Sequence, residues 1–226
     1  MTEFDDKKII ESWYTNAKAW ISAVQNQEIE SRTVVTNKAI IDVVMERSPS
    51  TALDVGCGEG WLSRALIERN VNVLGVDVVP ELIENARKLS SGEYHVCSYE
   101  KLAKEQILDC KFDAVICNFS LIGKEEVERL ICAIPGLLNN KGVLYIQTLH
   151  PFMCCDEIEC EDAWRVGSWD GFGSEFKDPA PWYYRTKASW ERLLGECGFV
   201  NIECREPGYP ESENLASIIF ICKLEG

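Results

Sequence analysis

Near the N-terminus, Ile10, Trp13, Tyr14, Ala17, Trp20, Ile21 and Val24 recur at helical spacing, which predicts an amphipathic helix ahead of the main body of the chain. A second helical run covers 34–47 and stops at the breaker Ser48-Pro49-Ser50. From there the pattern alternates. Residues 51–55, 71–76, 94–97, 112–118 and 142–149 are short, nearly continuous runs of apolar and β-branched residues, as expected of strands buried on both faces. Between them Leu62, Ala65, Leu66 and Arg69 fit one helix face, and Pro80 opens a helix carrying Leu82, Ala86 and Leu89. Val127, Leu130, Ile131, Ile134 and Leu138 predict another helix, ending at the turn Asn139-Asn140-Lys141-Gly142. Such alternation predicts a parallel sheet with helices on both faces.

The pattern breaks over 151–185, a stretch rich in Trp, Phe, Tyr, Gly, Pro and acidic residues with no sustained period. A connection that long and aromatic is expected either to be functional or to pack its rings onto the core. Thr186 then caps a last helix with Trp190, Leu193, Leu194 and Cys197 on one face and Gly198 as its stop. Two final apolar runs, 199–205 and 216–222, are joined by a turn-rich segment compatible with antiparallel pairing. The whole reads as one domain over 1–226: a helical cap (1–47), a core (48–150), an aromatic insertion (151–185), and a closing helix with a strand pair (186–226).

Composition narrows the function. The 226 residues carry 37 acidic against 23 basic side chains, a formal net charge of −14, so a nucleic-acid phosphate backbone or an anionic membrane surface would repel the chain. The first residues lack the basic and apolar regions of a secretion signal, and no apolar run approaches bilayer length; a cytoplasmic protein is expected, as monomer or homodimer. Eleven cysteines are then expected mostly as reduced thiols, with Cys57, Cys97, Cys117 and Cys132 inside apolar segments. Cys154, Cys155 and Cys160 lack paired C-x-x-C spacing, so no metal site is expected.

The segment Leu53-Asp54-Val55-Gly56-Cys57-Gly58-Glu59-Gly60 lies directly between a predicted strand and a predicted helix. Its glycines allow a tight turn and close approach to a ligand. Asp77 ends the next strand, where a carboxylate can accept hydrogen bonds from both hydroxyls of an adenosine ribose. Acids at Asp54 and Glu59 would repel a dinucleotide's pyrophosphate but favour a sulfonium and an α-ammonium, so S-adenosylmethionine is expected over NAD.

With these residues in place, the chain resembles the class I S-adenosylmethionine-dependent methyltransferases over nearly its whole length. LDVGCGEG is similar to that family's first motif, with Asp54, Gly56, Cys57 and Gly58 at the cofactor, and GVDVVPELIENAR to its second, with Asp77 at the ribose and Val78 beside adenine. CSYEKL is similar to the third, with Ser98 where the family commonly has Asp, so that the Ser98 hydroxyl or the Tyr99 backbone N–H would serve the adenine. FDAVICNFSLI is similar to the fourth, with Asn118 and Phe119 beside the methionine portion. The resemblance implies an α/β, doubly wound, mostly parallel seven-stranded sheet of the Rossmann-like methyltransferase fold, with N-terminal helices and a lid insertion after the fifth strand. It also implies that the N-terminal helix and the insertion cover the cofactor and shape the acceptor pocket. Arg32 then becomes a candidate partner for the cofactor's carboxylate, or else a solvated helix-start residue.

The expected activity is methyl transfer from S-adenosylmethionine, leaving S-adenosylhomocysteine, to oxygen or nitrogen of a small molecule; a protein side chain as acceptor, a non-catalytic cofactor-binding role and a nicotinamide-dependent reaction are the alternatives. Displacement at an activated carbon is accelerated by holding donor and acceptor in line. His150, at the end of the fifth strand, is a candidate base for a hydroxyl acceptor or a residue that bonds the backbone at a loop start, whereas His95 reads as structural. Tyr14, Trp182 and Tyr183 are the candidates for the acceptor pocket, and Arg165, Arg185 and Lys187 for a carboxylate on the acceptor.

Overall fold

A computed structural model describes residues 4–104, 110–154, 161–210 and 212–225. Helix α1 (Asp6–Gln25) starts where the Asp5 side chain accepts the Lys8 N–H, and a π-helical turn (Arg32–Thr36) leads into α2 (Asn37–Met45). Strands β1 (Thr51–Val55), β2 (Asn72–Asp77), β3 (Glu93–Val96), β4 (Phe112–Asn118) and β5 (Leu138–Thr148) alternate with α3 (Trp61–Ile67), α4 (Pro80–Leu89), a short α5 (Tyr99–Lys104) and α6 (Glu125–Ala133). After β5 come two short strands, β6 (Ala163–Arg165) and β7 (Trp182–Tyr184), then α7 (Lys187–Glu196), β8 (Phe199–Arg205) and β9 (Ile218–Leu224).

The main sheet has seven strands in the order β3-β2-β1-β4-β5-β9-β8. β1 to β5 are parallel, and β9 slots antiparallel between β5 and β8. The order reverses between β1 and β4, so the crevice at their carboxyl ends is where a doubly wound sheet binds its ligand. Alternate residues supply two cores. Leu53, Val55, Val115 and Cys117 pack with Val127, Leu130 and Ile131 of α6 and Trp190 and Leu194 of α7. Ala52, Ala114 and Ile116 pack with Ile40 and Val44 of α2 and Leu62 and Leu66 of α3. Each large aliphatic side chain removed from water here contributes about 1.5–3 kcal/mol.

Several expectations change in detail. The helix expected to reach Leu138 ends at Ala133; Pro135 cannot donate its missing N–H, the chain tightens into a 3₁₀ turn (Ile134–Leu137), and Leu138 already begins β5. The 151–185 insertion holds a β6–β7 hairpin. Cys132, expected as a reduced core thiol, is exposed and forms a disulfide with Cys197 at the end of α7, because α6 and α7 lie side by side with the two Cα atoms 4.6 Å apart. Cys57, Cys97 and Cys117 are buried. Cys155 and Cys160 lie outside the described residues. Among the described residues no helix is long and apolar enough to cross a membrane, and no group of three or more His, Cys, Asp or Glu is placed to hold a metal.

Candidate active site

The glycine-rich turn is tied down from both sides. Gly56 N–H and Cys57 N–H both donate to Val76 O, at 2.8 and 3.0 Å, which folds the chain back over the end of β2. Gly56 has φ +71°, and a Cβ there would stand 2.4 Å from the Ser120 Cβ, so only glycine fits against the loop after β4. Gly58, with φ +57°, donates its N–H to Asp77 Oδ2 at 2.9 Å, while Asp77 Oδ1 accepts the Val79 N–H at 2.9 Å. Burial pushes the Asp77 carboxyl up, and these backbone donors hold it back. Each oxygen keeps a second lone pair, enough to accept from two vicinal hydroxyls.

Behind the turn lies a buried charged group. Asp54, 1% exposed, accepts from Ser63 Oγ at 2.7 Å, and burial pushes its carboxyl up to about 7, with the like charge of Asp77 adding to the effect. Glu59 is fully buried; one oxygen takes Arg64 Nη2 at 2.6 Å and the other, Oε1, has no partner. The Arg32 guanidinium lies over Trp61 and Trp20, at 4.9 and 5.6 Å from the ring centroids, with Nε donating to Asn37 Oδ1 at 3.3 Å. Arg32 is therefore no solvated helix-start residue. Burial lowers its pKa to about 10 against the pull of Glu59, and its buried Nη2 has no partner. A buried guanidinium nitrogen left unpaired is costly unless an anion meets it. Arg32, Asn37, Trp61 and Arg64 border a cavity of about 560 Å³.

Helix α1 crosses over this crevice. Tyr14 Oη donates to Val78 O at 3.1 Å, and Trp20 Nε1 stands 3.7 Å from where a Gly58 Cβ would be. Trp13, Trp20 and Val78 pack against Ala17, Val79 and Leu82. Tyr14, expected in the acceptor pocket, is exposed and bonds the backbone at Val78, next to Asp77, where the helix lies along α4.

At the far side of the crevice, Ser98 Oγ accepts the Lys101 N–H at 3.2 Å, the N-cap role that starts α5. Tyr99 sends its side chain under the glycine turn, where its hydroxyl donates to Ser120 O at 2.9 Å and burial drives its pKa up. Asn118 ends β4 with Oδ1 buried and unpartnered. Phe119 follows with φ +51°, held by its N–H to Gln147 O at 2.7 Å. Gln147, paired in register with Asn118, donates Nε2 to Ser217 Oγ and leaves Oε1 buried without a partner. Two register partners near the ends of β4 and β5 therefore each carry an unpaired, buried amide oxygen. Gln147 was hidden in an apolar run, where a lone amide at the strand's end was the available signal.

The expected base is present at this edge, with its ring engaged. His150 is buried, its Nδ1 accepts the Phe152 N–H at 3.2 Å, and its Nε2 faces Glu206 Oε1 at 3.3 Å. With Nδ1 used as acceptor, Nε2 carries the proton, so neither nitrogen offers a lone pair to an acceptor hydroxyl. His95 is exposed on β3 beside Glu93. Trp182 and Tyr183 fall on opposite faces of the hairpin: Trp182 shares a face with Arg165 and Tyr184, whereas Tyr183 packs on Trp164 beneath Lys124 and Arg185. Of the three cations proposed for a carboxylate, Arg185 is spent on Gly123 O, Lys124 O and Glu128, and Lys187 on Glu206. Arg165 lies over the Tyr184 ring at 5.1 Å and keeps a buried Nε with no partner.

Residues 53–146, spanning the glycine turn, Asp77 and Asn118, match the family described as methyltransferase domain. Over that segment, which is less than half of the chain, the sequence is similar to methyltransferase domains. A ubiquinone biosynthesis O-methyltransferase of Xanthomonas axonopodis pv. citri is 38% identical over 111 residues, covering 47% of this chain and 46% of that protein. One from Xylella fastidiosa (strain M23) is 35% identical over 122 residues, covering 50% and 49%. The chain thus spans about half the length of the curated relatives it matches. Among solved structures, a magnesium protoporphyrin IX methyltransferase from Synechocystis PCC 6803, solved with S-adenosylhomocysteine bound, superposes with a TM-score of 0.65 at 20% identity, covering 98% of this chain and 100% of that one. An S-adenosylmethionine-dependent methyltransferase from Mesorhizobium loti gives 0.60 at 18% identity, covering 80% and 96%. The chain shares its fold with those structures.

Proposed function

We propose that this protein binds S-adenosylmethionine and transfers its methyl group to oxygen or nitrogen of a small molecule. Asp77 carries the reading: one carboxylate pins the glycine turn through Gly58 and retains lone pairs for a ribose. The rest of the crevice fits the same cofactor. Val78 flanks the adenine position, with Ser98 and the Tyr99 backbone beyond it. The unpaired Arg32 Nη2 is suited to the amino-acid carboxylate, and Asp54 and Glu59 offset the cofactor's positive charge. When bound, the cofactor supplies a methyl group already activated on a sulfonium.

The protein's remaining task is to orient the acceptor and exclude water. Asn118 Oδ1 and Gln147 Oε1 are positioned to accept from an acceptor's O–H or N–H, and Arg165, on the Trp182 and Tyr184 face, to meet an anionic group on the same molecule. His150 serves to hold the turn after β5 rather than to take a proton. O-methylation is the first reaction to try, a choice supported by the relatives named for ubiquinone biosynthesis. Incubation with methyl-labelled S-adenosylmethionine and paired phenolic acceptors, each with and without a carboxylate, tests this. Label is expected in the extracted acceptors, with the acidic member favoured; label transferred only to added protein would contradict a small-molecule acceptor.

A further inference from the structure

Two segments that are far apart in sequence, α1 and the insertion after β5, are joined through side chains of α1. Asn16 lies in the middle of α1 and is only 1% exposed, an unusual place for an amide on the buried stripe of an amphipathic helix. Its Oδ1 accepts the Lys177 N–H at 2.8 Å and its Nδ2 donates to Lys177 O at 2.7 Å. The amide thus completes both hydrogen bonds that a neighbouring strand would make to that residue. Ser12, one turn earlier, donates its hydroxyl to Asp178 O at 2.6 Å, where Asp178 holds φ +44°. Around this clamp the rings interlock: Trp13 meets Trp169 at 6.0 Å, Trp20 meets Phe172 at 6.3 Å, and Phe176 closes on Trp169 at 4.7 Å. At its other end the insertion is pinned to the acceptor edge, with Tyr183 N–H on Ile122 O at 2.8 Å and Tyr184 Oη on Pro151 O at 3.2 Å.

We infer that Asn16 is a positioning residue that couples the two covers, so that seating α1 on the cofactor also seats the insertion over the acceptor site. α1 touches the cofactor side directly, through Tyr14 on Val78 and Trp20 over Gly58. The described insertion touches the acceptor side through its hairpin. Asn16 and Ser12 make polar joins between them, and breaking the bidentate amide contact leaves the Lys177 N–H without its partner, while Lys177 O is still held by Trp169 Nε1 at 3.0 Å. Cofactor binding therefore orders the insertion, and the acceptor site is complete only after the cofactor is in place. That order of binding rests on the cofactor reading above.

Amide hydrogen exchange on the full chain, with and without S-adenosylhomocysteine, tests the coupling without any acceptor. In the wild type the ligand is expected to slow exchange at least about tenfold both in α1 and across 163–184. In Asn16→Ala the slowing of α1 and of the glycine turn should persist while that of 163–184 is lost; Ser12→Ala, the milder change, should reduce the insertion's response with α1 unaffected. The exposed Thr15→Ala should behave as wild type. An insertion that responds equally in Asn16→Ala and Ser12→Ala, or that ignores the ligand in the wild type while α1 and residues 56–60 respond, overturns the coupling. If residues 56–60 do not respond at all, the cofactor assignment itself fails.

Discussion

The Asp77 carboxylate accepts the Gly58 N–H at 2.9 Å, so the residue proposed to hold the ribose also holds the glycine turn. Asp77→Ala removes both functions at once. Charge-assisted hydrogen bonds contribute about 1.5–3 kcal/mol each, so S-adenosylhomocysteine affinity should fall by about 2–3 kcal/mol, roughly 30- to 160-fold. Calorimetry on the folded variant checks this, and an unchanged affinity would remove Asp77 from the ribose.

Asp54 makes stability depend on pH in a stated direction. Its folded pKa of about 7 lies above the ordinary 3.8, so its contribution is fully present below about pH 4 and is lost as pH rises through about 7. Between pH 5.5 and 8 the wild type should lose on the order of 2 kcal/mol relative to Asp54→Asn, which lacks the titration. Urea unfolding at the two pH values measures the difference; parallel slopes would contradict a buried, raised carboxyl.

His150 distinguishes a loop anchor from a base. An asparagine oxygen can accept the Phe152 N–H as Nδ1 does, so His150→Asn should keep turnover within about threefold, whereas loss of a general base costs about 10²–10⁴-fold. His150→Ala strands the Phe152 N–H and should cost about 1–3 kcal/mol of stability. Turnover of His150→Asn reduced a hundredfold on a labelled acceptor would restore the catalytic role.

The Cys132–Cys197 disulfide closes a loop with a sequence separation of 65, for which chain entropy gives about 4 kcal/mol. Reductant should lower the thermal midpoint of the wild type and leave Cys132→Ser unchanged. Equal midpoints for the wild type with and without reductant would show that the bond does not contribute.

The apolar runs at 51–55 and 112–118 were legible because strands buried on both faces must be continuously apolar, and Thr186 was legible as a cap because its hydroxyl has one local task, accepting the Ser189 N–H. The glycine turn and Asp77 were legible because a close backbone approach excludes Cβ atoms. What stayed hidden depends on packing between distant segments. The hairpin strands are three residues each, too short to show a period, and Cys132 finds Cys197 only once α6 and α7 lie side by side. Asn16 looked like an ordinary helix residue until Lys177 was placed against it, and the engagement of His150 depends on Phe152 and Glu206.

Titration of the intact protein with S-adenosylhomocysteine by calorimetry, with NADH as the control ligand, tests the central claim most directly. Saturable binding of S-adenosylhomocysteine in the micromolar range, about −8 kcal/mol, with no heat from NADH, is the predicted result. Binding of NADH instead, or of neither ligand, would contradict the assignment of the Asp77 crevice to S-adenosylmethionine.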